Sequence, residues 1–137
     1  MKYRFINHTA DIAFEVYGSS LAELLENAAL AFYDAFVDLS RIGESKEVEI
    51  EVEGEDDEIV LYRWLNELLY LFDTQFFAAK EVKAEVRERG RIEAIGKLRG
   101  GNLTPEMVKV EPKAITMHKF GIERSPEGFK AFVVVDI

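Results

Sequence analysis

Glu47, Glu49, Glu51 and Glu53 alternate with Val48, Ile50 and Val52. A period of two places the acids on one face of a strand and the β-branched residues on the other. Lys46 to Glu53 therefore predicts a half-buried strand with an acidic solvent side. The period lengthens at Leu21, Leu24, Leu25, Ala28, Phe32, Ala35 and Phe36 to the spacing of one helix face. Ser20 followed by Glu23 reads as a capping box, so a helix is predicted over Leu21 to Val37. A second stripe, Leu61, Trp64, Leu65, Leu68, Leu69 and Phe72, predicts a helix over Asp57 to Phe76, with Glu55, Asp56, Asp57 and Glu58 placing negative charge at its positive end. Short aromatic and β-branched runs at Lys2 to Ile6 and Ile12 to Tyr17 predict two strands. Glu81 to Arg89 and Arg91 to Arg99, split at Gly90, predict a hairpin, and Ala114 to Ile122 with Phe129 to Asp136 predict another, turned by Ser125-Pro126-Glu127-Gly128. Gly100 to Pro105 is expected to be a flexible loop. Two helices among about seven unevenly alternating strands predict an α+β two-layer sandwich: a largely antiparallel or mixed sheet with two main helices packed on one face.

A chain of 137 residues suits one domain, residues 1–137, with no linker or repeat in view. Apolar residues make up 48% and charged residues 31%, the balance of a globular protein that can fill its own core. Cysteine is absent, which removes disulfides, zinc thiolates and thiol nucleophiles from consideration. No stretch of about 18 apolar residues exists and none follows the opening Met1-Lys2-Tyr3-Arg4-Phe5, so neither a membrane span nor a signal peptide is expected and a cytoplasmic location is. The net charge of −9 is the wrong sign for phosphate backbones, which reward cations through counterion release. A metal ion or a basic protein partner fits better.

Candidate chemistry gathers at the extremities. Asp136 follows Val133-Val134-Val135, where core packing gives no reason for a carboxylate and burial would penalise one. Chain ends in compact domains often lie close together. Asp11, Asp136 and the carboxylate of Ile137 could thus form one acidic nest, whose oxygens suit magnesium, calcium or manganese rather than zinc. Only His8 and His118 offer imidazoles, and metal-binding His pairs, glycine-rich phosphate loops and nucleophile elbows are missing. Plainer readings stay open beside this one. Asp11 and His8 would serve equally as turn residues bonding local amides, Asp136 as a solvated terminus, His118 as an edge-strand residue, Lys113 as an exposed lysine before a strand, and the glutamate row as a solubilising face.

Five stretches together resemble the archease family: His8-Thr9-Ala10-Asp11-Ile12; Ser20-Leu21-Ala22-Glu23-Leu24 with Glu26-Asn27-Ala28-Ala29; Trp64-Leu65-Asn66-Glu67-Leu68-Leu69-Tyr70; Lys113-Ala114-Ile115-Thr116-Met117-His118; and Val133-Val134-Val135-Asp136-Ile137. They span the chain in order. The resemblance implies a non-catalytic protein cofactor of the RNA-splicing ligase, which joins ends bearing a 3′-phosphate or 2′,3′-cyclic phosphate to a 5′-hydroxyl in tRNA splicing. It implies promotion of GTP-dependent guanylylation of the ligase histidine and of multiple turnover, with RNA met only through the ligase. It further implies a divalent metal, calcium, manganese or magnesium, at Asp11, Asp136 and Ile137, and gives Lys113, with His8 and His118, as candidates for contact with the partner or a phosphate. Met117 stands where the family commonly has tyrosine. Two alternatives are a metal-dependent phosphohydrolase with His8 as base, and a chaperone-like or RNA-binding module.

Overall fold

The computed structural model describes residues 1–6 and 11–137. In chain order the elements are β1 (Tyr3–Ile6), β2 (Asp11–Gly18), α1 (Leu21–Phe36), β3 (Lys46–Gly54), α2 (Asp57–Gln75), β4 (Phe77–Glu88), β5 (Ile92–Asn102), β6 (Ala114–Ser125) and β7 (Gly128–Asp136). Short 3-10 turns occupy Leu39–Arg41 and Pro105–Met107. The α+β class and the antiparallel pairing are those expected. The strands divide into two sheets, ordered β1-β2-β7-β6 and β3-β5-β4. Alternation along a strand fixes which side is apolar but not which edges meet, so the division was invisible in the pattern.

Each helix touches both sheets: α1 packs on β2 and β4, α2 on β3 and β6. The core between them is built from the residues at helical and strand spacing: one continuous cluster holds Phe14 and Val16 of β2, Leu24, Leu25, Ala28 and Phe32 of α1, and Leu61, Trp64, Leu65 and Leu68 of α2, with α1 packed directly on β2. Burying side chains of this size stabilises by roughly 1.5–3 kcal/mol each. Both helix starts are capped as the sequence requires. Ser20 Oγ accepts from the Glu23 N–H at 3.1 Å, Glu23 Oε1 accepts in return from the Ser19 N–H at 2.8 Å, and Asp56 Oδ1 accepts from the Ile59 N–H at 2.9 Å.

The expected loop at Gly100 to Pro105 is corrected. Gly100 lies inside β5, paired with Lys46 on one side and Ala79 on the other, and Gly101 and Asn102 pair with Ala78 and Phe77. A Cβ on Gly100 would collide with the Ala78 carbonyl, so this glycine serves close strand approach. The strand also begins earlier than expected on β4, where Phe77, Ala78 and Ala79 are wholly buried.

Candidate functional site

β2 and β7 run antiparallel with Asp11 directly opposite Asp136. Cross-strand partners share a face with Cβ atoms about 4.5–5.5 Å apart, so the two carboxylates leave the sheet on the same side. Both residues are half-buried. On the far side of β7, Ala114 is the partner of Asp136, and the preceding Lys113 donates its backbone N–H to the Asp136 carbonyl at 2.7 Å. Lys113 is exposed, and Ile137 follows the strand end. The ladder therefore brings Asp11, Asp136, Lys113 and Ile137 to one end of the four-stranded sheet. His8 lies outside the described residues.

His118 is placed differently. The β6–β7 register jumps from Thr116 opposite Val134 to Gly121 opposite Phe132. The intervening residues form a bulge in which Lys119 has φ 56° and the His118 N–H donates to Thr116 Oγ1 at 3.2 Å. His118 thus sits inside that break and not on the paired ladder that holds Asp136, and the alternation that would align it with Thr116 is lost. Phe120 anchors the bulge through an edge contact with Tyr62 of α2, ring centres 5.7 Å apart.

The donor chemistry at the paired aspartates fits a hard cation. Two carboxylates underfill the six to eight oxygens that calcium takes, so further oxygens, from Ile137, backbone carbonyls or solvent, would complete a shell. Among the described residues, no three side chains of His, Asp or Glu come together as a ready-made cage. A groove of ≈ 360 Å³ leads away from Asp11 past Phe5, Ile12 and Ala35 to Asp34 and Lys109. There the Tyr3 hydroxyl donates to Asp34 Oδ2 at 2.8 Å, and Lys109 Nζ stands 3.8 Å from Asp34 Oδ1. Burial, reinforced by the Asp34 carboxylate, pushes the Tyr3 phenol up to about 12.

One polar cluster escaped sequence reasoning. Glu15 is buried on the face of β2 that also carries Asp11, and its carboxylate accepts from Tyr17 Oη at 2.6 Å and Arg4 Nη2 at 2.7 Å, with Lys130 Nζ at 3.3 Å. The Tyr17 hydroxyl first, then Arg4, hold this carboxyl down to about 2. Its only sequence signal is a lone acid within Ala13-Phe14-Glu15-Val16; the partners come from three strands. No helix among the described residues is long and apolar enough to cross a membrane.

These features define a small α+β domain of two helices and two antiparallel sheets, distinguished by an acidic sheet end. Comparison with known proteins specifies it further. The model of the Archease protein family (MTH1598/TM1083) matches residues 3–137. The chain is 72% identical to the protein archease of Archaeoglobus fulgidus over 137 residues, the whole of both chains, and 41% identical to that of Pyrococcus furiosus, covering 99% of each. Its fold is similar to the solution structure of protein 1598 of Methanobacterium thermoautotrophicum, with a TM-score of 0.89, 33% identity and 98% of both chains covered. It is similar also to the crystal structure of an archease, described as a possible chaperone, from Thermotoga maritima, with a TM-score of 0.65, 27% identity, 96% of this chain and 94% of that one. The chain belongs to the archease family.

Proposed function

We propose that this protein is a non-catalytic activator of the RNA-splicing ligase, acting through a cation held at Asp11 and Asp136. The observation that carries the proposal is the register of the two aspartates, opposite one another at the end of a sheet in a chain that is archease-like over its whole length. A ligase that accepts a nucleotide on histidine relies on positioning and charge compensation around phosphates. A divalent cation bound here would supply compensating positive charge. Asp11 and Asp136 would hold it, with an oxygen of Ile137 alongside, while the backbone bond from Lys113 to Asp136 fixes the strand end and leaves the Lys113 ammonium outside for the partner or a phosphate. RNA is met through the ligase, in keeping with the net charge of −9. The cytoplasm, where such a ligase works, is the compartment we assign.

The test is a ligation time course with the cognate ligase, RNA in excess, GTP and a divalent metal. Product beyond one equivalent of ligase only when this protein is present is the expected result. Equal turnover without it removes the proposal. The description of the Thermotoga relative favours a chaperone reading; that reading instead expects suppression of aggregation of unrelated unfolded proteins, in an assay without ligase.

A further inference from the structure

Where α2 ends, three local rules are broken together. Phe76 caps the helix with φ 49° and ψ 49°, the left-handed conformation usually given to glycine. The residue is 63% exposed, so packing does not explain the choice. The backbone is nevertheless fixed from both sides: the Phe76 N–H donates to the Leu71 carbonyl, and the Phe76 carbonyl accepts from the Leu103 N–H at 2.6 Å. Asp73 adds an acid to a final turn that contains no basic residue, against the helix dipole.

Phe76 and Asp73 line a groove of ≈ 740 Å³ together with Leu103, Val108 and Glu111. Partial burial and then the neighbouring Glu111 carboxylate raise the Asp73 pKa. Lys109, at the same rim, is turned to α1, donating to the Asp34 carbonyl at 2.9 Å. Among the described residues no ion pair joins Asp73 or Glu111 to a cation. The result is a largely apolar groove lined by an aromatic side chain on a fixed backbone and by two acids that no ion pair neutralises. Departures from local rules with no gain to the fold mark surfaces kept for another purpose.

We infer that this groove docks a segment of the RNA-splicing ligase, seating a lysine or arginine between Asp73 and Glu111 and an apolar side chain against Phe76. Charge complementarity selects a basic segment over an acidic or neutral one, and an arginine would gain further from the ring face. The inference rests on the ligase reading above and adds a second contact to it. Lys109 borders both this groove and the one leading from Asp11, so a single partner reaching the acidic sheet end could cover both.

The test measures binding of the full-length protein to the ligase by calorimetry, for wild type, Phe76→Gly, Asp73→Lys and the double variant. Glycine suits the left-handed cap and lysine suits a helix C-terminus, so each variant should unfold at or above the wild-type temperature. A dissociation constant weaker by about tenfold or more in the double variant, with melting no lower than wild type, is the expected result, the loss typical of an anchor residue. Binding within about twofold of wild type overturns the docking site while leaving the ligase reading intact. Wild-type protein that neither binds nor activates the ligase overturns the ligase reading, and this site with it.

Discussion

Asp11 stands directly across the β2–β7 ladder from Asp136. Like charges in that position destabilise a sheet by roughly 0.2–1 kcal/mol, and a cation between them reverses the sign. In chelator, Asp136→Asn should therefore melt about 1–4 °C higher than wild type. In saturating calcium the order should invert, since a ligand at a hundred times its dissociation constant adds about 2.7 kcal/mol. Calorimetric melting under both conditions reads the crossing. Equal calcium shifts in the two proteins would show that Asp136 is not a ligand.

Glu15 gives a dependence on acidity. Its carboxyl titrates near 2 in the folded protein, below its ordinary 4.5, because Tyr17, Arg4 and Lys130 favour the charged form. The stabilisation is thus complete above the unfolded value and disappears as pH falls from about 4.5 toward 2. Glu15→Gln should cost about 1 kcal/mol at neutral pH, the modest figure reflecting the exposed Arg4 and Lys130 partners. The gap between variant and wild type should close through that acid window in urea titrations. A gap independent of pH would place its origin in packing.

Trp64 links three elements of the molecule. Its Nε1 donates to the Leu25 carbonyl at 2.9 Å, joining α2 to α1, and its ring lies so close over Gly96 of β5 that a Cβ there would overlap it. Gly96→Ala should destabilise by about 1–3 kcal/mol through overpacking. In a Trp64→Leu background the same change should cost much less, because the colliding ring is gone. A double-mutant cycle in denaturant measures the difference, and additive costs would contradict the contact.

Tyr33 is fully buried on α1, and its hydroxyl finds no hydrogen-bond partner among the described residues. Burial pushes its phenol pKa far upward. Tyr33→Phe removes an unsatisfied polar group without opening a cavity, so stability should hold or rise by up to about 1 kcal/mol. A loss of more than that in thermal unfolding would reveal a bond this account lacks.

Periodic segments were legible and pairings were not. The glutamates of β3 announced a strand and its exposed face, Ser20 and the acidic run Glu55 to Glu58 announced helix starts, and Asp136 after three valines announced an anomaly that the ladder then placed opposite Asp11. Gly100 misled because a glycine needed for close strand approach resembles a loop glycine. Phe77 to Ala79 fell between the helix expected to end at Phe76 and the strand expected from Glu81, because a buried strand directly following an apolar helix shows no alternation to mark its start. The Glu15 cluster draws on Arg4, Tyr17 and Lys130 from three strands, and the Phe76 cap depends on backbone torsion, so neither leaves a linear trace.

On the proposed function, the paired aspartates hold the cation on which ligase activation depends. This is tested most directly by turnover of the RNA-splicing ligase, RNA in excess, with Asp11→Asn, Asp136→Asn double variant in place of wild type. The ligase should then stop near one equivalent of product while the variant remains folded by circular dichroism. Continued turnover at the wild-type rate would contradict it.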